Sequence, residues 1–281
     1  MSVSMTRSDK TRLDDIGLVA LVGAGKMGGA MLDGWLALGL DPRNVVVVEP
    51  HPSEELAALS MKGVVLNPPA GAVTNISTIV LAVKPQVASD VMPSVAAMVG
   101  ADTLVLSIMA GKTLAFLQQA LPKASIVRAM PNTPAAIGRG ITVAVPNAAV
   151  TPEQRQRAHA LLAASGAVEW IDDESLMDAV TAVSGSGPAY VFLLAETLTK
   201  AGIEAGLPAP LAAKLARETV SGAGELLRQS PLDPATLRRN VTSPAGTTAA
   251  ALAVLMAADG LDPLMRKAVA EAAKRSRELA G

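Results

Sequence analysis

The segment Leu18 to Gly28 constrains this chain more than any other. The apolar run Leu18 to Val22 passes directly into Gly23, Ala24, Gly25, Lys26, Met27 and Gly28, which is the pattern G-x-G-x-x-G. A helix-forming stretch, Met27 to Leu38, follows, and the next β-branched run ends in an acid, Glu49, about 20 residues beyond Gly28. Strand, tight turn, helix, strand and acid in that order are the fingerprint of a dinucleotide-binding βαβ unit. The sequence therefore predicts a Rossmann fold in the amino-terminal part.

Each residue of the fingerprint has a physical task. Gly23 makes the turn, Gly25 lets backbone approach a pyrophosphate, and Gly28 lets helix and strand pack closely. The helix amino terminus adds N–H groups and the positive end of its dipole, so Gly23, Ala24, Gly25, Lys26, Met27 and Gly28 are expected to hold the phosphates of NADH or NADPH. A glycine-rich turn without a ligand would show the same letters, and the surrounding elements are what separate the two readings. Glu49 is expected to accept hydrogen bonds from a ribose diol and to repel a 2′-phosphate, which favours NADH. The alternative is a solvated acid at a strand end, with His51 and Ser53 left to accommodate a 2′-phosphate.

From Ile16 to Ile171 short β-branched runs alternate with helix-like segments, the pattern of a doubly wound, mostly parallel sheet. The predicted strands are Leu18 to Val22, Val45 to Val48, Val64 to Leu66, Ile79 to Val83, Thr103 to Ile108 and Ser125 to Met130. Ile141 to Val145 and Val168 to Ile171 finish the sheet around a helix from Pro152 to Ala164. The first six read as continuous apolar runs, as when helices cover both sheet faces. Half of the residues are apolar while only 2% are aromatic, so the core must be aliphatic. After Asp172 strand-like runs vanish and helical spacing takes over. The expected organisation is a loose leader over residues 1–16, a Rossmann domain over 17–172 and an all-α domain over 173–281. Its predicted helices are Glu174 to Val183, Pro188 to Ala205, Pro208 to Gln229, Pro234 to Asn240, Thr247 to Ala258 and Pro263 to Ala280.

Charge and composition exclude several classes of function. The net charge is −1 with no basic stripe, so nucleic acid is not an expected partner. With no cysteine there is no disulfide framework, zinc-thiolate site or thiol nucleophile, and the composition fits a reducing cytoplasm. The first sixteen residues lack the apolar core of a secretory signal. The longest nearly apolar run, Ala245 to Ala258, is shorter than the ~20 residues needed to cross a bilayer, so no membrane is expected either. No metal site is expected.

In a doubly wound sheet the ligand crevice lies at the carboxyl ends of the strands. The loops Ala82-Val83-Lys84-Pro85, Ser107 to Gly111 with Ala110, and Met130 to Pro134 with Asn132 should therefore flank the nicotinamide half. Asn132-Thr133-Pro134 is also ordinary turn chemistry. Neither histidine is well placed for hydride chemistry: His51 sits beside the adenosine end and His159 in the helix that closes the first domain. Ser184, Gly185, Ser186 and Gly187 form a small-residue turn whose hydroxyls and N–H groups can bind an anion. In the segment Asn240 to Thr248 a second turn opens onto a helix. The hydroxyls of Ser243, Thr247 and Thr248, with Gly246 and the free N–H groups, make a carboxylate receptor, or else only a helix cap.

The run V-T-S-P-A-G-T-T-x-x-A-L from Val241 to Leu252 resembles the pyrroline-5-carboxylate reductase signature. Gly23-Ala24-Gly25-x-Met27-Gly28, Ala82-Val83-Lys84-Pro85-Gln86, Met130 to Pro134 and Ser184 to Tyr190 stand in that family's order and spacing, so the resemblance covers nearly the whole chain. It implies reduction of 1-pyrroline-5-carboxylate to L-proline by hydride from NAD(P)H, Thr248 as the residue at the ring nitrogen, and self-association as a dimer or a larger dimer-based assembly. It also accounts for a reductase with no evident acid or base, because an iminium carbon is already electrophilic. Three departures stand out: Ala245 replaces a frequent glycine, Met256 replaces a polar residue, and Ala70 falls where many members carry an asparagine near the adenine ribose. The rival readings are a 3-hydroxyacid dehydrogenase, whose catalytic lysine has no counterpart before Lys200, and a non-catalytic dinucleotide sensor.

Overall fold

The computed structural model describes residues 13–280. Its β-strands are β1 (Leu18–Val22), β2 (Val45–Val48), β3 (Val65–Leu66), β4 (Ile76–Leu81), β5 (Leu104–Ser107), β6 (Ser125–Met130), β7 (Gly140–Pro146) and β8 (Gly166–Trp170). They form one sheet in the order β3-β2-β1-β4-β5-β6-β7-β8. Strands β1 to β6 are parallel; β7 runs antiparallel to β6, and β8 parallel to β7. The eight predicted strands are all present, β1, β2 and β6 with the predicted ends and the others with shifted ends. The run placed at Ile79 to Val83 starts at Ile76 and stops at Leu81, because Ala82 N–H donates to the Val22 carbonyl as the chain turns away into a loop.

Over its central strands the sheet is covered on both faces, which is why β1 and β2 read as unbroken apolar runs, whereas the edge strand β8 alternates partly buried and exposed residues. The helices of this part are α1 (Lys26–Ala37), α2 (Glu54–Ala58), α3 (Ala88–Met98), α4 (Leu114–Ala120) and α5 (Pro152–Ala163). One cluster packs Val19, Leu21, Val45 and Leu104 with Met31, Leu32 and Trp35 of α1 and Leu161 of α5. Trp35 is fully buried, and its indole N–H donates to the Leu161 carbonyl at 2.8 Å. The other cluster packs Ala20, Ile79, Leu81 and Ile126 with Met92 and Val95 of α3 and Leu117 of α4. From β1 the chain moves outward to β2 and β3, then returns to β4 on the other side. The carboxyl ends of β1 and β4 are therefore the topological switch point where α/β sheets bind ligands.

By its internal contacts the chain divides into two compact units, one reaching Gly185 and including Arg275 onward, the other Ser186–Lys274. This division falls later than the 172/173 boundary read from the sequence. The polypeptide turns helical after Asp172 but stays packed on the sheet unit: Met177 is buried in the second cluster, and the Glu174 carboxylate binds Arg128 of β6 and the Leu114 N–H. A similar correction applies at the amino end. Leu13 and Ile16 are buried in the first cluster, so the core begins with these two residues, inside the stretch read as a loose leader; residues 1–12 lie outside the described ones.

The helix expected over Glu174 to Val183 is instead a 3₁₀ turn (Glu174–Leu176), a single α turn, α6 (Met177–Val180), and a π-helical turn (Thr181–Gly185). The second unit contains α7 (Gly187–Glu204), α8 (Ala209–Gln229), α9 (Pro234–Asn240), α10 (Thr247–Leu255) and most of α11 (Leu261–Ala280). Small residues let α7 and α8 pack closely: the Gly202 position faces the Ala212 methyl, and Ala212 and Ala216 are buried. Pro208 precedes α8 as its cap rather than opening it.

Candidate active site

The glycine loop takes the form its spacing predicts. Gly23 has φ +89° and is wedged between strand ends, where a Cβ would meet the Ala82 carbonyl and Val83 at 2.9 Å. At Gly28 a Cβ would overlap the Gly23 carbonyl, so this position closes the helix onto the turn. Gly25 is different, because a Cβ there would meet no protein atom within 4 Å. The protein alone does not require glycine at Gly25, whereas a phosphate approaching the backbone does. Gly25 is also the N-cap of α1 and offers no side-chain acceptor, which leaves the first N–H groups of the helix for an anion. Ala24, Lys26 and Met27 complete the loop, with Lys26 exposed. These residues fit a dinucleotide pyrophosphate.

Glu49 follows β2 and points into this loop. One carboxylate oxygen accepts from the Ala24 N–H at 2.9 Å and the other from the His51 N–H at 3.0 Å. The acid is thus fixed against the glycine loop rather than loose in solvent. Ser53 caps α2 by accepting from the Leu56 N–H, so its oxygen is already engaged. Asn67, which sequence reasoning passed over, completes the arrangement. Its carboxamide accepts from the Glu49 N–H and donates to the Glu49 carbonyl, both at 2.8 Å, while its backbone sits at φ +47°. The available signal was an Asn closing a strand just before Pro68 and Pro69, since Asn is one of the few residues that tolerate the left-handed region.

The loop Ala82 to Pro85 leaves the carboxyl end of β4, with Lys84 exposed. After β5, Ala110 is exposed and Gly111 has φ +71°. Asn132, expected to face the coenzyme, holds protein groups at both ends of its amide: its oxygen accepts from the Ile141 N–H at 2.9 Å, and its nitrogen donates to the Ser184 carbonyl at 3.1 Å. It ties the π-helical turn to the loop after β6. Ser184 and Gly185 end that turn, where the Ser184 hydroxyl donates to the Val180 carbonyl at 2.9 Å; Ser186 and Gly187 begin the second unit as the N-cap and first residue of α7. The segment read as a simple turn is therefore a π turn that runs on into a helix. His159 accepts from the Trp170 indole N–H at 3.3 Å and is a packing residue, and His51 is exposed.

In the second unit α10 begins at Thr247 with Gly246 as N-cap, and no side chain caps it. The capping alternative for Ser243, Thr247 and Thr248 is therefore not realised. Ser243 and Gly246 are instead close neighbours in the turn, since a Cβ on Gly246 would overlap the Ser243 hydroxyl. Ala245 has φ +56°, which explains the glycine frequent there in the family signature. Thr248 is half-buried and Thr247 exposed, both in the first turn of α10. Lys200, the first lysine of α7, is held by Glu196 at 2.6 Å.

The model for pyrroline-5-carboxylate reductase dimerisation matches residues 174–279, and that for NADP oxidoreductase, coenzyme F420-dependent, matches residues 18–111. The chain is 42% identical over 264 residues to the pyrroline-5-carboxylate reductase of Synechocystis, covering 93% of this chain and 97% of that protein. Among solved structures it is similar to a pyrroline-5-carboxylate reductase from Coxiella burnetii, with a TM-score of 0.88 and 32% identity over 95% of this chain and 100% of that one. The Plasmodium falciparum pyrroline carboxylate reductase with NADP bound gives a TM-score of 0.78 at 26% identity over 95% of this chain and 100% of that one.

Proposed function

The chain belongs to the pyrroline-5-carboxylate reductase family, and on that premise we propose that it transfers hydride from a nicotinamide dinucleotide to the C=N carbon of 1-pyrroline-5-carboxylate, giving L-proline. One observation in this chain carries the reading furthest. The Val241 to Leu252 signature folds into an α10 amino terminus that no side chain caps, which leaves N–H groups and the Thr247 and Thr248 hydroxyls for a carboxylate-bearing ring.

When bound, the dihydronicotinamide supplies the hydride. The Gly23 to Gly28 loop would hold the pyrophosphate, and the loops carrying Ala82 to Pro85, Ala110 and Asn132 would border the nicotinamide half. The α10 amino terminus with Ser243 and Gly246 would receive the substrate carboxylate. The Thr248 hydroxyl would hydrogen-bond the ring nitrogen. Because the protonated imine carbon is electrophilic without further activation, these residues act by orientation, which can supply on the order of 7–11 kcal/mol. Ser184, Gly185, Ser186 and Gly187 would offer N–H groups and hydroxyls to the same anionic substrate in this reading. The Glu49 carboxylate would meet the ribose diol, so NADH is the preferred coenzyme. A cytoplasmic location belongs to the same proposal, and among the described residues no helix is long and apolar enough to cross a membrane.

The test is to incubate the purified protein with 1-pyrroline-5-carboxylate and either NADH or NADPH and follow absorbance of the reduced nicotinamide. Turnover with a higher kcat/KM for NADH is the expected result. No turnover with either coenzyme overturns the reading in favour of a dinucleotide sensor. The 3-hydroxyacid dehydrogenase alternative gains nothing from the structure, since its lysine has no counterpart and Lys200 is paired on its own helix.

A further inference from the structure

We infer that Asn67 is a positioning residue for coenzyme choice, holding Glu49 so that its carboxylate stays on the glycine loop. The β2–β3 ladder pairs Val46 with Val65 and Val47 with Leu66, and the Asn67 N–H donates to the Val47 carbonyl at 2.8 Å. At Asn67 the backbone then turns into the left-handed region, φ +47°, and the strand ends. In place of a further backbone pair, the Asn67 carboxamide supplies one acceptor and one donor to the N–H and carbonyl of Glu49, each at 2.8 Å. A side chain thus extends the ladder to the residue that carries the acid. Both backbone groups of Glu49 are fixed, and its side chain reaches back to the Ala24 N–H at 2.9 Å.

Such an arrangement has a consequence for recognition. An acid discriminates a diol from a 2′-phosphate only while it is held where that phosphate would stand. A Glu at a strand end with free backbone groups can rotate toward solvent and yield the space. Asn67, bonded to both backbone groups of Glu49, removes that freedom.

The inference rests on the coenzyme reading of Glu49, and the experiment separates the two. Affinities of the coenzyme-free protein for ADP and for 2′,5′-ADP are measured by calorimetry, and kcat/KM for NADH and NADPH by turnover, in wild type, Asn67→Gly, Glu49→Gln and the double variant. Gly keeps the backbone conformation while removing the carboxamide; Asn67→Asp, which keeps the acceptor alone, is the second variant should Gly fail to fold. Both ratios should shift toward the 2′-phosphate ligand by about fivefold or more in Asn67→Gly, the scale of losing hydrogen bonds that fix a charged group. Little further shift should appear once Glu49 is already Gln. If Glu49→Gln shifts the ratios and Asn67→Gly does not, Asn67 only ends a strand and the inference fails alone. If Glu49→Gln leaves the ratios unchanged, the coenzyme reading fails and takes this inference with it. An additive shift in the double variant would show that Asn67 acts without Glu49, which also overturns it.

Discussion

Thr248 and His159 show how a residue's role follows from what its polar atoms already hold. Thr248 stands half-buried in the first turn of a helix that no side chain caps. Replacing it with Val keeps the shape and removes the hydroxyl. Coenzyme binding should survive while kcat/KM falls by about tenfold to a hundredfold, the scale of ~1–3 kcal/mol for a hydrogen bond that strengthens as charge moves. Wild-type kinetics in Thr248→Val would instead move the ring-nitrogen contact elsewhere. His159 is the opposite case, since its Nδ1 accepts the Trp170 indole proton and it therefore serves packing in its neutral form. Burial, and then the nearby Arg155, hold its pKa below the ordinary 6.5. The unfolded chain thus binds the proton first as pH falls, so the stability from this residue is complete above pH 6.5 and is lost below it. The melting temperature should fall between pH 7 and pH 5, and His159→Gln, which cannot titrate, should flatten that slope. An unchanged slope in His159→Gln would place the titrating group elsewhere.

At the scale of elements, the segment between Asp172 and α7 decides where the first unit ends. Glu174 sits in a 3₁₀ turn, yet its carboxylate accepts from Arg128 on β6 at 2.6 Å and from the first N–H of α4 at 2.7 Å. The Arg128 side chain is 8% exposed and that of Glu174 27%. Removing the acid leaves a buried guanidinium without its partner, which in fully buried pairs costs about 3–5 kcal/mol. With Glu174 partly solvated, Glu174→Ala should lower unfolding stability by roughly 2–4 kcal/mol, read from the urea midpoint. A midpoint equal to wild type would show that water replaces the carboxylate. The π-helical turn Thr181–Gly185 lies just beyond, and Asn132 fastens it to the loop after β6. π-helical turns recur at functional sites because they re-aim a helix without breaking it. Here one follows directly on the segment that the ion pair anchors.

For the whole molecule, the second unit leaves apolar surface that a lone chain does not cover. Helix α7 carries the apolar run Val191, Phe192, Leu193 and Leu194, yet none of its residues is buried; Phe192 is 67% exposed, and Val254 after the signature 72%. A run of large apolar side chains on a helix is normally enclosed. We expect a homodimer or a larger dimer-based assembly, in keeping with the match to a dimerisation model over residues 174–279. Light scattering at micromolar concentration should give at least twice the chain's 28.5 kDa, and a monomeric mass would contradict it. The sequence by itself determined the elements whose signals are local. Apolar runs marked all eight strands, and the glycine loop was legible because its G-x-G-x-x-G spacing, the strand before it and the helix after it lie within a few residues of one another. Tertiary structure decided whatever depends on a partner distant along the chain. Leu13 and Ile16 join the core, and Met177 and Glu174 hold the start of the helical region on the sheet unit. Likewise Asn132 turns its amide to Ile141 and Ser184, and Asn67 grips Glu49 across two strands. Their side chains are polar or solitary, so no periodicity announces them. Their roles are set by which atoms the fold brings within hydrogen-bonding distance.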